Sequence, residues 1–260
     1  MTGREQWSVR RFRDLVVMSG ERSDIVIACD SVGGIGAKPG DSFAASAEVV
    51  THFAARVPLL EVIAAGARPQ VIVDTLSVEK DPAAIPMIAE IRRLAAELGI
   101  DPGEGVTGST EDNVPTAATG LGVTIIGTAP RGGLRLGRSL AGDVVACLGL
   151  PLSAPEDVLR PGDPRMPTLA EALRASELPA THEMLPVGSR GVAYEAAQLA
   201  GSSGLLARMR ATPGLDPLRT AGPSTCVLLS LREVDLPELR RIRPDLPVTV
   251  VADLYDSNEQ

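Results

Sequence analysis

An aspartate at the end of an apolar run, followed by four glycines and a lysine, is the pattern in this chain with the most chemistry in it. Asp24-Ile25-Val26-Ile27-Ala28 leads into Cys29-Asp30-Ser31-Val32-Gly33-Gly34-Ile35-Gly36-Ala37-Lys38-Pro39-Gly40-Asp41. The run over 25–29 reads as a short buried strand that delivers the Asp30 carboxylate to its C-terminal end. Gly33, Gly34 and Gly36 let backbone N–H groups turn toward an anion, Lys38 supplies a point charge, and Asp30 can hold a hard cation such as Mg2+. That combination suits a metal-phosphate site. The spelling is not that of a P-loop, because Pro39 stands where Ser or Thr is needed, and Gly34-Ile35-Gly36 lacks the third glycine of a dinucleotide fingerprint. The same residues also read as a plain glycine-rich turn between two elements.

Asp74 is the second acidic position of interest. In Val71-Ile72-Val73-Asp74-Thr75-Leu76-Ser77-Val78, alternation puts it on one sheet face with Ile72, Leu76 and Val78. A carboxylate there is costly unless it is paired or coordinates a cation, so Asp74 is a metal or nucleotide ligand or a salt-bridged aspartate. A third acidic point, Gly108-Ser109-Thr110-Glu111-Asp112-Asn113, is on its own residues an ordinary turn or helix cap. In Gly188-Ser189-Arg190-Gly191, Ser189 and Arg190 open a helix, where they could take a phosphate or ribose hydroxyl, or serve as an N-cap and a surface charge. His52, among Val49, Val50 and Phe53, reads as a hydrogen-bonded core or interface histidine.

The elements that must position these groups alternate. Strands are expected over 25–29, 70–79, 120–129 and 143–148, and helices over 45–65, where Pro58 predicts a kink or break, and over 82–98. Residues 151–188 hold many prolines and read as a linker or boundary with one short helix over 169–175. Helices over 191–200 and 236–242 and strands over 225–231 and 248–252 follow. The fold class is therefore an α/β N-terminal domain, residues 1–150, plus a short α+β C-terminal domain, residues 151–260.

Composition excludes several functions. A net charge of −8 and very few aromatic residues argue against nucleic-acid binding, despite small arginine clusters such as Arg10-Arg11-Phe12-Arg13. With only two histidines, any metal is expected to be held by oxygen. The odd set Cys29, Cys147 and Cys226 sits in or beside apolar runs, as reduced cysteines of a cytoplasmic protein do. A polar, basic opening stretch through Arg13 and no apolar run of about twenty residues predict neither export nor a membrane span.

The order of these motifs resembles a known superfamily. Asp30 with its glycine loop, Val57 to Pro69, Asp74, Gly108-Ser109-Thr110-Glu111 with Val114-Pro115, and Gly142-Asp143-Val144-Val145 are similar to aminoimidazole ribonucleotide synthetase and its relatives thiamine-monophosphate kinase, selenophosphate synthetase and a hydrogenase maturation factor. Cys29-Asp30-Ser31, Leu185 to Gly191 with Tyr194-Glu195-Ala196, and Ala221-Gly222-Pro223 look closest to the α-ribazole kinase branch. Val57-Pro58 departs from the Asn-Asp pair of the synthetases.

The resemblance implies an N-terminal mixed sheet that pairs across a homodimer, ATP and Mg2+ as cofactors, and phosphorylation of a small-molecule acceptor. It implies Asp30, Asp74, Glu111 and Asp112 as metal ligands and Gly33, Gly34, Gly36, Lys38, Thr110 and Asn113 as nucleotide contacts. Asp30 and Lys38 would be catalytic, and Ser189 and Arg190 would hold the acceptor. α-Ribazole is the expected acceptor, against thiamine monophosphate, another small molecule, or a catalytically silent nucleotide-binding subunit.

Overall fold

The computed structural model describes residues 6–256, so residues 1–5 of the basic opening stretch, and 257–260, lie outside the described residues. That opening stretch continues into a hairpin: Ser8–Phe12 (β1) pairs antiparallel with Leu15–Ser19 (β2). Its turn uses Arg13 at φ 52°, a left-handed conformation that lets two strands close over two residues. β2 then pairs with Ser23–Gly33 (β3), which is the expected Asp30 strand extended at both ends.

After two short pieces, Ile35–Gly36 (β4) and Phe43–Ala44 (β5), the chain enters Ala47–Ala64 (α1). This is one 18-residue helix that includes Pro58, so the expected break is absent. Burial explains it: Ala54, Ala55, Leu59, Leu60, Val62 and Ile63 are all shielded from solvent, and packing of that extent outweighs the roughly 3 kcal/mol that an interior proline costs. Arg68–Leu76 (β6), Ile85–Glu97 (α2), Val106–Thr110 (β7) and Gly120–Pro130 (β8) complete the first unit.

Its sheet has the order β1-β2-β3-β8-β6-β7. Only the β6·β7 pair is parallel. One face carries Val17, Val26, Ala28, Ile72, Val123 and Ile125, all buried. Gly127 shows what covers that face, since a Cβ there would lie 2.3 Å from Val62 of α1. The opposite face, with Val16, Ile25, Ile27, Val73 and Ile126, is only half-buried.

Contacts divide the chain between Gly133 and Leu134, with residues 63–66 counted in the second unit. There, Val144–Leu148 (β9), Leu169–Glu177 (α3), Glu183–Pro186 (β10), Gly191–Ser202 (α4), Leu206–Met209 (β11), Val227–Leu231 (β12), Leu236–Arg240 (α5) and Val248–Tyr255 (β13) surround an antiparallel sheet of order β10-β12-β9-β13-β11. β9, which sequence reading places with the first domain, is the middle strand of this second sheet. The proline-rich stretch before β10 is no bare linker. Leu152, Met166, Leu169, Ala172 and Ala175 are buried, and Thr168 and Glu171 form a reciprocal capping box at the start of α3.

Candidate functional site

The register of the first sheet brings Asp30 and Asp74 onto one face. Asp30 of β3 lies opposite Val123 of β8, and Val123 lies opposite Asp74 of β6, which in turn lies beside Gly108 of β7. Residues directly opposite in a ladder point to the same side, so the two carboxylates share one face, two strand spacings (about 10 Å) apart. β3 and β6 run in the same direction, and both aspartates sit toward the C-terminal ends of their strands.

Both carboxyls are held above the ordinary aspartate range, for the same reason. Burial raises the pKa of Asp30, with its Ser31 backbone hydrogen bond pulling partly back. Burial raises that of Asp74 to about 6, opposed only by the charge of Arg92 on α2. Asp74 is 3% exposed. Its carboxylate leans over Gly108: a Cβ on that glycine would lie 2.1 Å from Asp74 Oδ1, so no other residue fits beside it. Sequence reading assigned Gly108 no role, because the need for a glycine there comes from a neighbour 34 positions away.

The other expected ligands form a separate loop. Glu111 and Asp112 follow the end of β7, three and four residues beyond the carboxylate row. Asp112 organises that loop: its Oδ1 accepts from the Lys80 N–H at 2.9 Å and its Oδ2 from the Thr110 hydroxyl at 2.6 Å. The Asn113 N–H donates to Glu111 Oε1 at 2.8 Å, and the Glu111 N–H to the Val78 carbonyl at 3.0 Å. Among the described residues, no three Asp, Glu, His or Cys side chains gather closely enough to hold a metal between them. Asp30 and Asp74 therefore stand as a pair, without Glu111 and Asp112 in one cluster.

The glycine-rich segment is wired to the stretch before β8. The Gly34 N–H donates to the Thr119 carbonyl at 2.8 Å and the Gly40 N–H to that of Ala117 at 2.9 Å. Asp41 accepts from the Thr119 N–H and hydroxyl, each at 2.7 Å, and from the Lys38 N–H at 2.8 Å. A Cβ on Gly36 would lie 2.1 Å from Thr119 Oγ1, so close approach of these two segments is what requires a glycine there. Gly33 ends β3. The Lys38 ammonium donates to the Glu79 carboxylate and, at 3.0 Å, to the Thr116 carbonyl. That ion pair holds the Glu79 carboxyl down at about 2, helped by the Thr116 N–H.

His52 is a core group, as expected. Its Nδ1 lies 2.8 Å from Glu90 Oε1, and Arg93 donates to both Glu90 oxygens at 2.6 and 2.7 Å. Burial alone would push the Glu90 carboxyl up, but these hydrogen bonds outweigh it and hold it below the usual range.

In the second unit, Ser189 and Arg190 are exposed in a turn before α4. Ser189 is not the N-cap. That position belongs to Arg190, whose side chain makes no capping bond and instead stacks on Tyr194, with Cζ 3.6 Å from the ring centroid. The neighbouring Glu183 is fully buried and saturated, accepting from the N–H groups of Gly137, Arg138 and Ser139 and from the hydroxyls of Ser139, Ser202 and Ser203.

Solved structures share this fold. Thermotoga maritima PurL complexed with ATP superposes with a TM-score of 0.66 at 18% identity, over 94% of this chain and 42% of that one. Thiamine-monophosphate kinase from Stenotrophomonas maltophilia K279a gives 0.65 at 18% identity, over 91% and 84%. The hydrogenase maturation protein HypE in complex with ATP gives 0.63 at 16%, over 90% and 78%. The chain thus shares the fold of these three proteins and spans less than half the length of the PurL chain. No family model and no curated protein matches the sequence. Among the described residues, no helix is long and apolar enough to cross a membrane.

Proposed function

We propose that this protein is an ATP-dependent small-molecule kinase whose nucleotide-metal site is built on the Asp30–Asp74 face. The observation that carries this reading is the shared row of two desolvated carboxylates, each held above its ordinary pKa with little compensation from the protein. Such groups cost stability, and a hard cation is the partner that reverses the cost. At two strand spacings each carboxylate fits Mg2+ on its own, since that ion is commonly held by one or two carboxylates and takes its remaining oxygens from water and phosphate. PurL and HypE bind ATP on the same fold, which supports the nucleotide as the source of that phosphate.

When bound, Mg2+ would neutralise charge on the phosphate groups. The rest of the chemistry falls to the chain itself. Asp30 and Asp74, fixed in neighbouring ladders, offer their oxygens without reorganising, and preorganised electrostatics of this kind dominate phosphoryl transfer. The Gly33 to Ala44 segment shapes the end of the sheet beyond Asp30. Thr110, the last residue of β7, and Asn113 in the loop after it are assigned as nucleotide contacts, with Glu111 and Asp112 as further candidate oxygen donors. Ser189 and Arg190 of the second unit are assigned as acceptor contacts on the sequence resemblance alone.

Two acceptors remain in view. α-Ribazole follows from the sequence resemblance, and thiamine monophosphate is favoured by the two thiamine-monophosphate kinases among the structural neighbours. A panel of both with ATP and Mg2+, read as ADP release, decides: turnover with one acceptor names the enzyme, and nucleotide binding without turnover on either favours a silent subunit.

The half-buried face of the first sheet, opposite the helices, is assigned to a second copy of this chain. Apolar residues such as Ile25, Ile27 and Ile126 would otherwise meet water there.

A further inference from the structure

Three strands carry or flank the carboxylate row, and one knot of side chains joins their ends. Lys38 comes from the segment between β4 and β5, beyond the end of β3, Glu79 from the segment after β6, and Thr116 from the segment before β8. Glu79 is the centre: one oxygen accepts from the Thr116 N–H at 2.8 Å, and the other meets the Lys38 ammonium and the Thr116 hydroxyl, the latter at 3.3 Å. Lys38 closes the ring on the Thr116 carbonyl at 3.0 Å. Gly33, the last residue of β3, is three positions past Asp30, so that strand ends about 10 Å beyond the row, and the knot lies further along the chain. Both members of the ion pair are largely shielded, with side chains 16% and 28% exposed.

We propose that Glu79 is a positioning residue for the nucleotide site. Resting on the kinase reading above, it anchors Lys38 and thereby fixes the glycine loop, and with it the separation of the Asp30 and Asp74 strands. Lys38 is thus neutralised by a carboxylate before any ligand arrives. Its contribution to nucleotide binding passes through the shape of the loop and not through a free positive charge.

A double-mutant cycle with Lys38→Met and Glu79→Gln tests this, read by Mg2+-ATP affinity and by amide hydrogen exchange of residues 34–42 without nucleotide. Glu79→Gln keeps an acceptor for the Thr116 N–H, but removes the charge and puts an NH2 donor where the Lys38 ammonium needs an acceptor. The expected result is that each single variant weakens nucleotide binding about tenfold, and that the pair together weakens it no more than either, as coupled neighbours do. Exchange over 34–42 should rise in all three variants. Glu79→Asp, which keeps the charge, should recover part of the affinity.

If Lys38→Met loses affinity while Glu79→Gln keeps or gains it, Lys38 acts as a free cation and the proposal is overturned. Faster exchange with unchanged affinity in Glu79→Gln overturns it too, leaving a purely structural knot. If the wild type binds no nucleotide while its 34–42 amides are protected and the variants' are not, the kinase reading fails and the clasp itself stands.

Discussion

Replacing Asp74 by asparagine should make the protein more stable and less active, and the size of the gain should depend on pH. The folded-state carboxyl titrates near 6, against an ordinary value of 3.8. Below about pH 4 the group is protonated in both states and contributes nothing to the difference. Between about 4 and 6 the unfolded chain ionises while the folded one resists, so stability falls as pH rises, and above about 6 the full penalty is present. A shift of that size is worth about 3 kcal/mol as a ceiling. Relaxation around the group lowers it, so about 1–3 kcal/mol is expected, or roughly 2–6 °C in melting temperature for a chain of this length.

Thermal melts of wild type and Asp74→Asn in EDTA, from pH 4.5 to 8, read this directly. The two should melt together at pH 4.5 and separate progressively, with the variant higher at pH 8. Excess Mg2+ with nucleotide should close the gap by stabilising the wild type alone. Parallel melting curves at every pH, or a variant that is less stable at pH 8, would refute the claim that Asp74 is buried at a cost.

Asp30→Asn, which removes one charge-stabilising group, should lower turnover by two or more orders of magnitude, about 3 kcal/mol in the transition state, with the circular dichroism spectrum unchanged. Gly108→Ala places a methyl 2.1 Å from Asp74 Oδ1, so it should displace that carboxylate and abolish nucleotide-linked stabilisation, measured as the loss of the Mg2+-ATP melting shift. Glu90→Ala leaves the buried His52 without its acceptor, while the half-exposed Arg93 keeps Glu97, and should cost about 1–3 kcal/mol in denaturant unfolding. Light scattering should return twice the 27.1 kDa chain mass, and a monomer at micromolar concentration with ATP and Mg2+ present would contradict pairing through the first sheet.

Local patterns made part of this legible. Alternation around Asp74 and the apolar run before Asp30 each put a carboxylate in a strand, and both strands exist. What alternation could not show is that the two aspartates share a row, because Val123, the residue between them, belongs to a strand 49 positions beyond Asp74. The Arg10 to Arg13 cluster carries no strand signal of its own, yet it is an exposed strand and its turn, since pairing with the apolar β2 supplies the ladder that its composition does not advertise. Glu79 and Thr116 carried no sequence signal, as their partners are distant in the chain. Asp41 had a faint one: it closes the glycine stretch, where an acceptor for backbone N–H groups is useful. The glycines were read as making room for phosphate. At Gly36 the room is taken by Thr119, a tertiary contact that no local pattern reveals.

The central claim is that Asp30 and Asp74 together hold a metal-bound nucleotide. Titration calorimetry of ATP into wild type, Asp30→Asn and Asp74→Asn, each with Mg2+ and with EDTA, tests it most directly. Binding should be measurable only for the wild type with Mg2+ and should weaken at least tenfold in EDTA or in either variant. Equal ATP affinity in EDTA, or in both variants, would place the nucleotide elsewhere and contradict the account.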